Sequence, residues 1–588
     1  MKTKLFLAAM AAVAVIGCQK EPAGSVQVAD GTASFLSVNL NAAGAMTKAA
    51  EDTFEYGLAT ENAVNSVTFY FFKENGDPYV VQGVENWMSG QLDPDDWNTK
   101  PGGNQTQKPE ELAPTLEKVS GMVLVIKQHQ DPNDLPAKMV AILNGDPTVF
   151  NTSMSLSDLE DVVLNSLTYG DYFTMSNSVY AGTENSQSVK INTTPITAAN
   201  LFNANIEPGQ VGYNPPGTIL TPGEEGVPAT GVTPVEIYVE RVAVKVRVHG
   251  ATGVDLTKVP VMSADGEGAT QLKDAAGNAV YMKVLGWDVT NNTDETYLLK
   301  DINPSWTDLG FTPWNNPAFF RSYWAKTTDE PLHNITFTAL KGGKNLDPGY
   351  AYYFENTAAA AENNGVDVDD KNGYTNADGL VSGAKNQAPQ LLVAAQLVDV
   401  DGEAIDIAKW YGKLYTIDDV MDAMVGTIDH RLFTKDGNNI NPVIRTDFAF
   451  EQAAQIAGSK RYNVYVKVKE GATEGYYVNE RGESYTIAQV EEILATVDPA
   501  QMFKDGYTYY YTTIKHFGAT GKPAEFGLVR NHCYDIAIEN VVGFGTPVWN
   551  EGHVITPEKP TDETAVNLSA RINILAWHIV SQDVTLGM

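Results

Sequence analysis

Apolar side chains that recur at every second position limit this chain more than any other feature, because a period of two fits a half-buried β-strand and no helix. The segment VEIYVERVAVKVRV shows it best. Val235, Ile237 and Val239 share one face, the phase shifts at Glu240-Arg241, and Val242, Val244, Val246 and Val248 carry the apolar face onward. A β-bulge at Glu240-Arg241 is the expected cause of that shift. The last stretch, residues 566–588 (VNLSARINILAWHIVSQDVTLGM), has the same character. Ile572 and Ile574 share a face, the phase slips near Leu575-Ala576, and then Trp577 and Ile579, and later Val584 and Leu586, alternate with polar residues. A strand of this kind either closes its own sheet or is offered to another molecule by β-strand addition.

Strand signals dominate the rest of the chain as well. In residues 49–302, Val67, Phe69 and Phe71 alternate ahead of an Asn75-Gly76 hairpin turn, and residues 93–114 and 209–234 read as polar loops. Short strands are expected at residues 122–126 and 139–144, one helix is expected to start at Ser157-x-x-Glu160, and residues 282–292 look like a closing strand. An aromatic connector without a clear period follows at 303–344. Residues 345–565 form a second strand-rich region with two short helices, capped at Thr416-x-x-Asp419 and Thr486-x-x-Gln489. The pattern predicts an all-β protein of two antiparallel β-sandwich domains with short helical inserts.

At 588 residues and 43% hydrophobic, the chain is long enough for two or more cores. Its 40 basic against 73 acidic residues give a net charge of −33, which excludes nucleic acid as a partner, because affinity for phosphate backbones comes from clustered basic side chains. At the N-terminus, Lys2 and Lys4 precede an apolar run too short to span a bilayer, with the layout of a secretory signal over residues 1–17. It ends in Val15-Ile16-Gly17-Cys18, which looks like a bacterial lipobox and makes Cys18 the expected lipid attachment site. Residues 18–48 contain a short strand with Leu36, Val38 and Leu40 on one face, then small residues ending at Lys48-Ala49. Between Lys20 and Lys73, Lys48 is the only basic residue. A trypsin-like protease removing a pro-segment here therefore has one natural bond to cut, Lys48-Ala49. Cys533, the other cysteine, is expected to be a small buried hydrophobe.

No catalytic residue, metal site or cofactor site emerges. The eight histidines show no metal-binding spacing, and His532-Cys533 lies in a strand-like run without the helix N-terminus that would activate a thiol. The glycines of GFGTPV at 543 and GATGKP at 518 lack the spacing of phosphate-binding loops and read as turns. DVDDKNG from 367 puts Lys371 where a calcium ligand should stand.

The lipobox, the pro-segment ending in a basic residue, VERVAVKVRV, VLGWDV, RSYWA, YYFENT and GLVRNHCYDIAIENVVGFGTPV ahead of a Trp-containing last strand together resemble the type V fimbrial shaft subunits (pilins) of Bacteroidales, the minor-fimbrium type in particular. The resemblance covers nearly the whole chain in order. It implies two transthyretin-like sandwiches, export as an outer-membrane lipoprotein, and proteolytic removal of the lipidated strand. The groove so emptied then accepts the C-terminal strand of the next subunit. Carried over by position, Cys18 is the anchor, Lys48-Ala49 the processing bond, Leu36, Val38 and Leu40 the removed strand, and Ile572, Ile574, Trp577, Ile579, Val584 and Leu586 the donor. Better-known members are cut after arginine, so Lys48 is a departure. The implied partners are further copies of the chain, accessory fimbrial subunits, the maturation protease, and host or bacterial surface ligands. A fimbrial tip or anchor subunit, a non-polymerising glycan-binding surface lipoprotein and a secreted hydrolase are the competing readings.

Cys18→Ala is expected to abolish lipid attachment and leave the precursor unanchored; metabolic labelling with a fatty acid, unchanged in the variant, would refute this.

Overall fold

The computed structural model describes residues 58–79, 136–150, 154–177, 193–196, 235–263, 268–290, 292–300, 335–356, 389–452, 463–514, 516, 527–552 and 554–555, together with isolated strand segments at 34–42, 91–92, 119–126, 180–181, 190–191, 201–203, 374–375, 381–382, 568–573, 578–579 and 584–586. Strands dominate, most of them paired antiparallel, as the alternation predicts.

The first sheet is built from β1 (Ser34–Ala42), β2 (Val67–Phe72), β3 (Val119–Ile126), β4 (Lys138–Leu143), β5 (Met175–Asn177), β6 (Leu201–Asn203) and β7 (Val235–Arg241). Their order is β6-β1-β7-β5-β4-β2, with β3 laid along β1. Both faces of β2 are buried: Phe69 and Phe71 lie on one side, and Tyr70 and Phe72 on the other. The second pair packs with Val140, Ile142 and Leu159, the last from the short helix α1 (Leu156–Glu160). Alternation reported only one of these faces, because an aromatic ring serves a core on either side of a pleat. The helix is capped by Ser155, whose hydroxyl accepts from Asp158 N–H at 3.1 Å while the Asp158 carboxylate accepts from Ser155 N–H at 2.8 Å. The capping box thus sits two residues before the expected Ser157-x-x-Glu160. The Asn75-Gly76 turn is present, with Gly76 at φ 90°.

At Val242-Ala243 the chain changes sheets. The expected bulge is absent; β7 ends at Arg241, and β8 (Val244–Gly250) pairs with a different set of strands. That set continues with β9 (Val259–Met262), β10 (Tyr281–Thr290), helix α2 (Phe337–Lys341), β11 (Tyr350–Tyr353) and β12 (Gln390–Val398). The chain then leaves for a third layer, β13 (Ile407–Trp410), helix α3 (Ile417–Gly426), β14 (Asn463–Val468), helix α4 (Ile487–Leu494) and β15 (Ala500–Phe503). It returns as β16 (Tyr507–Thr513) and β17 (His532–Val542), and its tail carries β18 (Leu568–Asn573), β19 (His578–Ile579) and β20 (Val584–Leu586). The first sandwich was expected to reach residue 302, yet β8, β9 and β10 belong to the second sheet. In sequence this boundary hides inside one valine-rich run. Within the expected connector, residues 335–341 form a short strand and α2, and Phe337 and Leu340 pack on Leu392 and Ala394 of β12.

The second sheet runs β11-β8-β17-β9-β10-β12-β16 and folds over at β9, which pairs with β17 through Val261-Met262 and with β10 through Val259-Pro260. Val246 and Ile536 on one limb thereby face the core that holds Trp287, Val393 and Tyr510 on the other. The β8/β17 and β9/β17 ladders are parallel, which the long segments joining these strands in sequence permit. In the third layer, Thr416 and Thr486 cap α3 and α4 as expected, their hydroxyls accepting from Asp419 N–H at 3.1 Å and Gln489 N–H at 3.3 Å.

Trp287 is fully buried, and its indole N–H donates to Asn345 O at 3.2 Å. Trp287→Ala is therefore expected to lower stability by about 3–5 kcal/mol through the cavity it leaves; equilibrium denaturation of the soluble chain measures this, and a loss below about 1 kcal/mol would contradict the packing described.

Candidate strand-exchange site

Strand β1 is an interior strand. Along one edge it runs antiparallel to β3, from Ser34 opposite Ile126 to Leu40 opposite Val119, with an irregularity between Val38 and Leu40. Along the other edge, Ser34 to Leu36 pair antiparallel with β6, and Val38 to Ala42 pair parallel with β7, Val38 opposite Val235 and Ala42 opposite Val239. Every part of its length is thus hydrogen-bonded to other strands of the sheet. A strand in this position contributes only main-chain ladder bonds and alternate side chains, so another chain of similar pattern is chemically equivalent to it.

The tail pairs with its own chain. Asn573, Ile572 and Arg571 lie opposite Asp535, Ile536 and Ala537 in an antiparallel ladder, while His578-Ile579 and Val584 to Leu586 run parallel to His532-Cys533 and to residues 538–541. All three tail strands take β17 as their partner. Of the donor residues expected from sequence, Ile572, Ile579, Val584 and Leu586 lie on these strands, and Ile574 and Trp577 fall outside the described residues. Leu36, Val38 and Leu40 lie on β1. Cys18, Lys48 and Ala49 fall outside the described residues, as do the loops at 367 and 518.

What sequence reasoning missed is the seam between the two sheets. Glu61, on a single helical turn (Ala59–Asn62), is fully buried. Its carboxylate accepts from Lys245 Nζ at 2.7 Å, from the Tyr352 hydroxyl, and from Leu58 N–H at 2.7 Å. Its main-chain oxygen accepts from Arg241 Nε at 2.7 Å, and Arg241 donates a second bond to Asn531 Oδ1 at 2.8 Å. The Lys245 ammonium also lies 4.6 Å from the centroid of the Tyr350 ring. Burial pushes the Glu61 carboxyl up, but the Lys245 and Tyr352 bonds together with the lysine charge outweigh it, and its pKa falls below the ordinary carboxylate value. Burial, reinforced by Glu61, raises the Tyr352 phenol, and desolvation draws Arg241 down to about 10, still charged at neutral pH.

A second cluster extends the seam. Arg530, fully buried, donates to Glu355 at 2.7 Å, to Leu298 O at 2.9 Å, to Thr296 Oγ1 at 3.0 Å and to Tyr297 O at 2.6 Å. Ser176 of β5 donates to the same Leu298 oxygen at 2.7 Å. Glu240 and Lys300, both wholly buried, lie 3.3 Å apart. The Glu240-Arg241 pair, expected to form a bulge, is thus buried in the seam. The one available signal was charge on the apolar side of a strand run.

Cys533 is a buried thiol packed by Phe173 and Ala243, as expected, and the glycines of the GFGTPV segment lie in a bend ahead of a short strand at Thr546–Pro547, with Gly543 and Gly545 at φ 75° and 79°. Among the described residues there is no group of His, Cys, Asp and Glu able to hold a metal ion, and no helix long and apolar enough to cross a membrane.

Residues 501–583, which span β15 to β19, match the family model described as the C-terminal part of the major fimbrial subunit protein type IV, fimbrillin. No curated protein matches the chain. Among solved structures, a candidate cell adhesion protein from Bacteroides eggerthii aligns over 96% of this chain and 99% of its own at 8% identity and a TM-score of 0.33. A fimbrilin from Porphyromonas gingivalis aligns over 94% and 97% at 11% identity and 0.33, and a fimbrial assembly protein from Parabacteroides distasonis over 62% and 81% at 8% and 0.26. Superpositions this loose establish neither a shared fold nor a shared role. The fimbrillin match, by contrast, is to a structural component of fimbriae, and it supports a fimbrial subunit rather than an enzyme.

Glu61→Ala is expected to cost about 3–5 kcal/mol at neutral pH, because it strands Lys245 in the interior. The lowered pKa means that the carboxylate's contribution is complete above the ordinary carboxylate range and is lost as pH falls through the lowered folded value. Denaturation midpoints measured between neutral and acid pH should show this acid limb in the wild type and a shallower one in Glu61→Gln; superimposable profiles would refute it.

Proposed function

We infer that the chain is a structural subunit of a cell-surface fimbria, of the shaft type that its sequence resembles, serving adhesion and biofilm formation. In this reading it is exported as an outer-membrane lipoprotein through Cys18, cut by a trypsin-like protease at Lys48-Ala49, and polymerised by strand exchange with other copies and accessory subunits. Each of its two sheet systems is then a transthyretin-like sandwich. The supporting observation is the two-sided pairing of β1 at the end of the chain that precedes Lys48. Removing β1 leaves β3 on one side and β6 with β7 on the other with unpaired N–H and C=O groups, which makes a strongly adhesive slot. An incoming strand restores ladder bonds at about 0.5–1.5 kcal/mol net each and buries apolar side chains at roughly 1.5–3 kcal/mol each. The junction is head-to-tail and does not close on itself, so repetition yields a filament. While the pro-segment is attached, its high effective concentration keeps the slot filled.

The tail then has two stations, the β17 edge of its own chain before assembly and the emptied slot of a neighbour afterwards. The closing-strand reading gives it the first station only. The two readings separate on two variants. Lys48→Ala is expected to give full-length protein that folds but forms no filaments, and deletion of residues 584–588 to permit cleavage yet shorten or abolish filaments in electron micrographs. Lys48→Ala protein that polymerises like wild type, or a tail deletion that lowers monomer stability without touching filament length, would leave the tail as a closing strand.

A further inference from the structure

The third layer carries an exposed aromatic group that the polymerisation scheme does not use. Strand β13 and residues Lys413–Tyr415 form a hairpin in which Trp410 lies opposite Lys413, so its turn has only two residues, Tyr411 and Gly412. Both take left-handed backbone angles, φ 47° at Tyr411 and 72° at Gly412. A two-residue turn of this hand favours Asn, Asp or Gly at its first position, and a tyrosine there is strained. Nevertheless Tyr411 is 66% exposed, so core packing does not account for the choice. The strain is offset by contacts at the hairpin tip and not by the core, which makes the tip a place to look for function.

The ring is also fixed in place. Its centroid lies 4.6 Å from that of Trp410, its hydroxyl donates to the Asp498 carboxylate, and Trp410 Nε1 donates to Asp498 O at 3.0 Å. Tyr415 also meets Trp410, edge to face, with ring centroids 6.3 Å apart. Tyr411 therefore presents a rigid aromatic surface with little rotamer freedom left to lose on binding. Asp498, exposed in the connection between α4 and β15, brings a carboxylate acceptor to the hairpin tip, and Lys413, which follows Gly412 and is exposed, adds a donor from the hairpin itself.

We propose that the Tyr411 hairpin tip is a saccharide-binding site, taking a neutral pyranose whose C–H face rests on the Tyr411 ring and whose hydroxyls bond to Asp498 and Lys413. The negative face of the ring suits the weakly positive C–H groups of a sugar. A hydroxyl donates and accepts at once and so uses both flanking groups, which a purely cationic or purely anionic ligand would not. The net charge of −33 disfavours sialylated, sulfated or uronate-rich glycans. The site does not depend on strand exchange, and it stands whether or not the chain polymerises.

The test is an array of defined neutral, sialylated and sulfated oligosaccharides probed with the soluble full-length chain, followed by calorimetric titration of the best neutral binder. Tyr411→Asn suits the turn better, so its melting temperature should equal or exceed that of wild type while its affinity for that glycan falls at least tenfold. Asp498→Asn should weaken binding several-fold. A blank array, binding confined to acidic glycans, or an affinity undiminished in Tyr411→Asn would overturn the proposal.

Discussion

Glu61 joins what would otherwise be two separate sheets. One carboxylate, delivered by a single helical turn, receives Lys245 from β8 and Tyr352 from β11, while its peptide oxygen receives Arg241 from the end of β7. Burying a carboxylate or an ammonium alone costs several kcal/mol, and a pair recovers this only when the geometry is good and the remaining donors and acceptors are satisfied. The seam meets that condition through Tyr352, Leu58 N–H and Asn531, so the ion pair acts as a positional lock more than as a source of net stability. Apolar residues of equal volume would join the sheets as firmly but would fix their registration less well.

Main-chain ladders of the two sheets meet at this seam. β7 lines the slot that β1 occupies and ends at Arg241; β8 starts three residues later and pairs with β17, the strand that carries the tail. The slot and the tail edge are thus linked by two short ladders and the locked seam between them. Within the chain, β1 pairs between β3 and β7 and the tail pairs with β17, so in the proposed strand-exchange reading both positions are filled from within before assembly. Strand edges covered in this way within one chain are how sheet proteins restrain edge-to-edge aggregation.

Much of this was legible in the sequence. The all-β character, the caps at Thr416 and Thr486, the Asn75-Gly76 turn and the buried Cys533 follow from period, capping chemistry and residue type, all of which are local. The sheet change at Val242-Ala243 was not legible, because two strands of the same apolar phase, end to end, read as one strand with a bulge. The burial of Lys245 was not legible either, since alternation reports which face a side chain takes and is silent on what covers that face. Here Tyr350, Tyr352 and Glu61 cover it, from segments far away in the chain. Long-range partners of this kind leave no periodic trace, and Arg530, wholly buried among main-chain oxygens, shows the same limit.

The link at Val242-Ala243 bears on how force would travel. Both residues are fully buried, and Ala243 O accepts from Asn531 N–H at 2.8 Å, so the connection between the sheets has no slack to draw out. Tension applied at β7 passes at once to β8. There it meets a ladder parallel to β17, in which several hydrogen bonds are loaded together in shear instead of one after another. A connection wired in this way passes load from one sheet to the other without first extending.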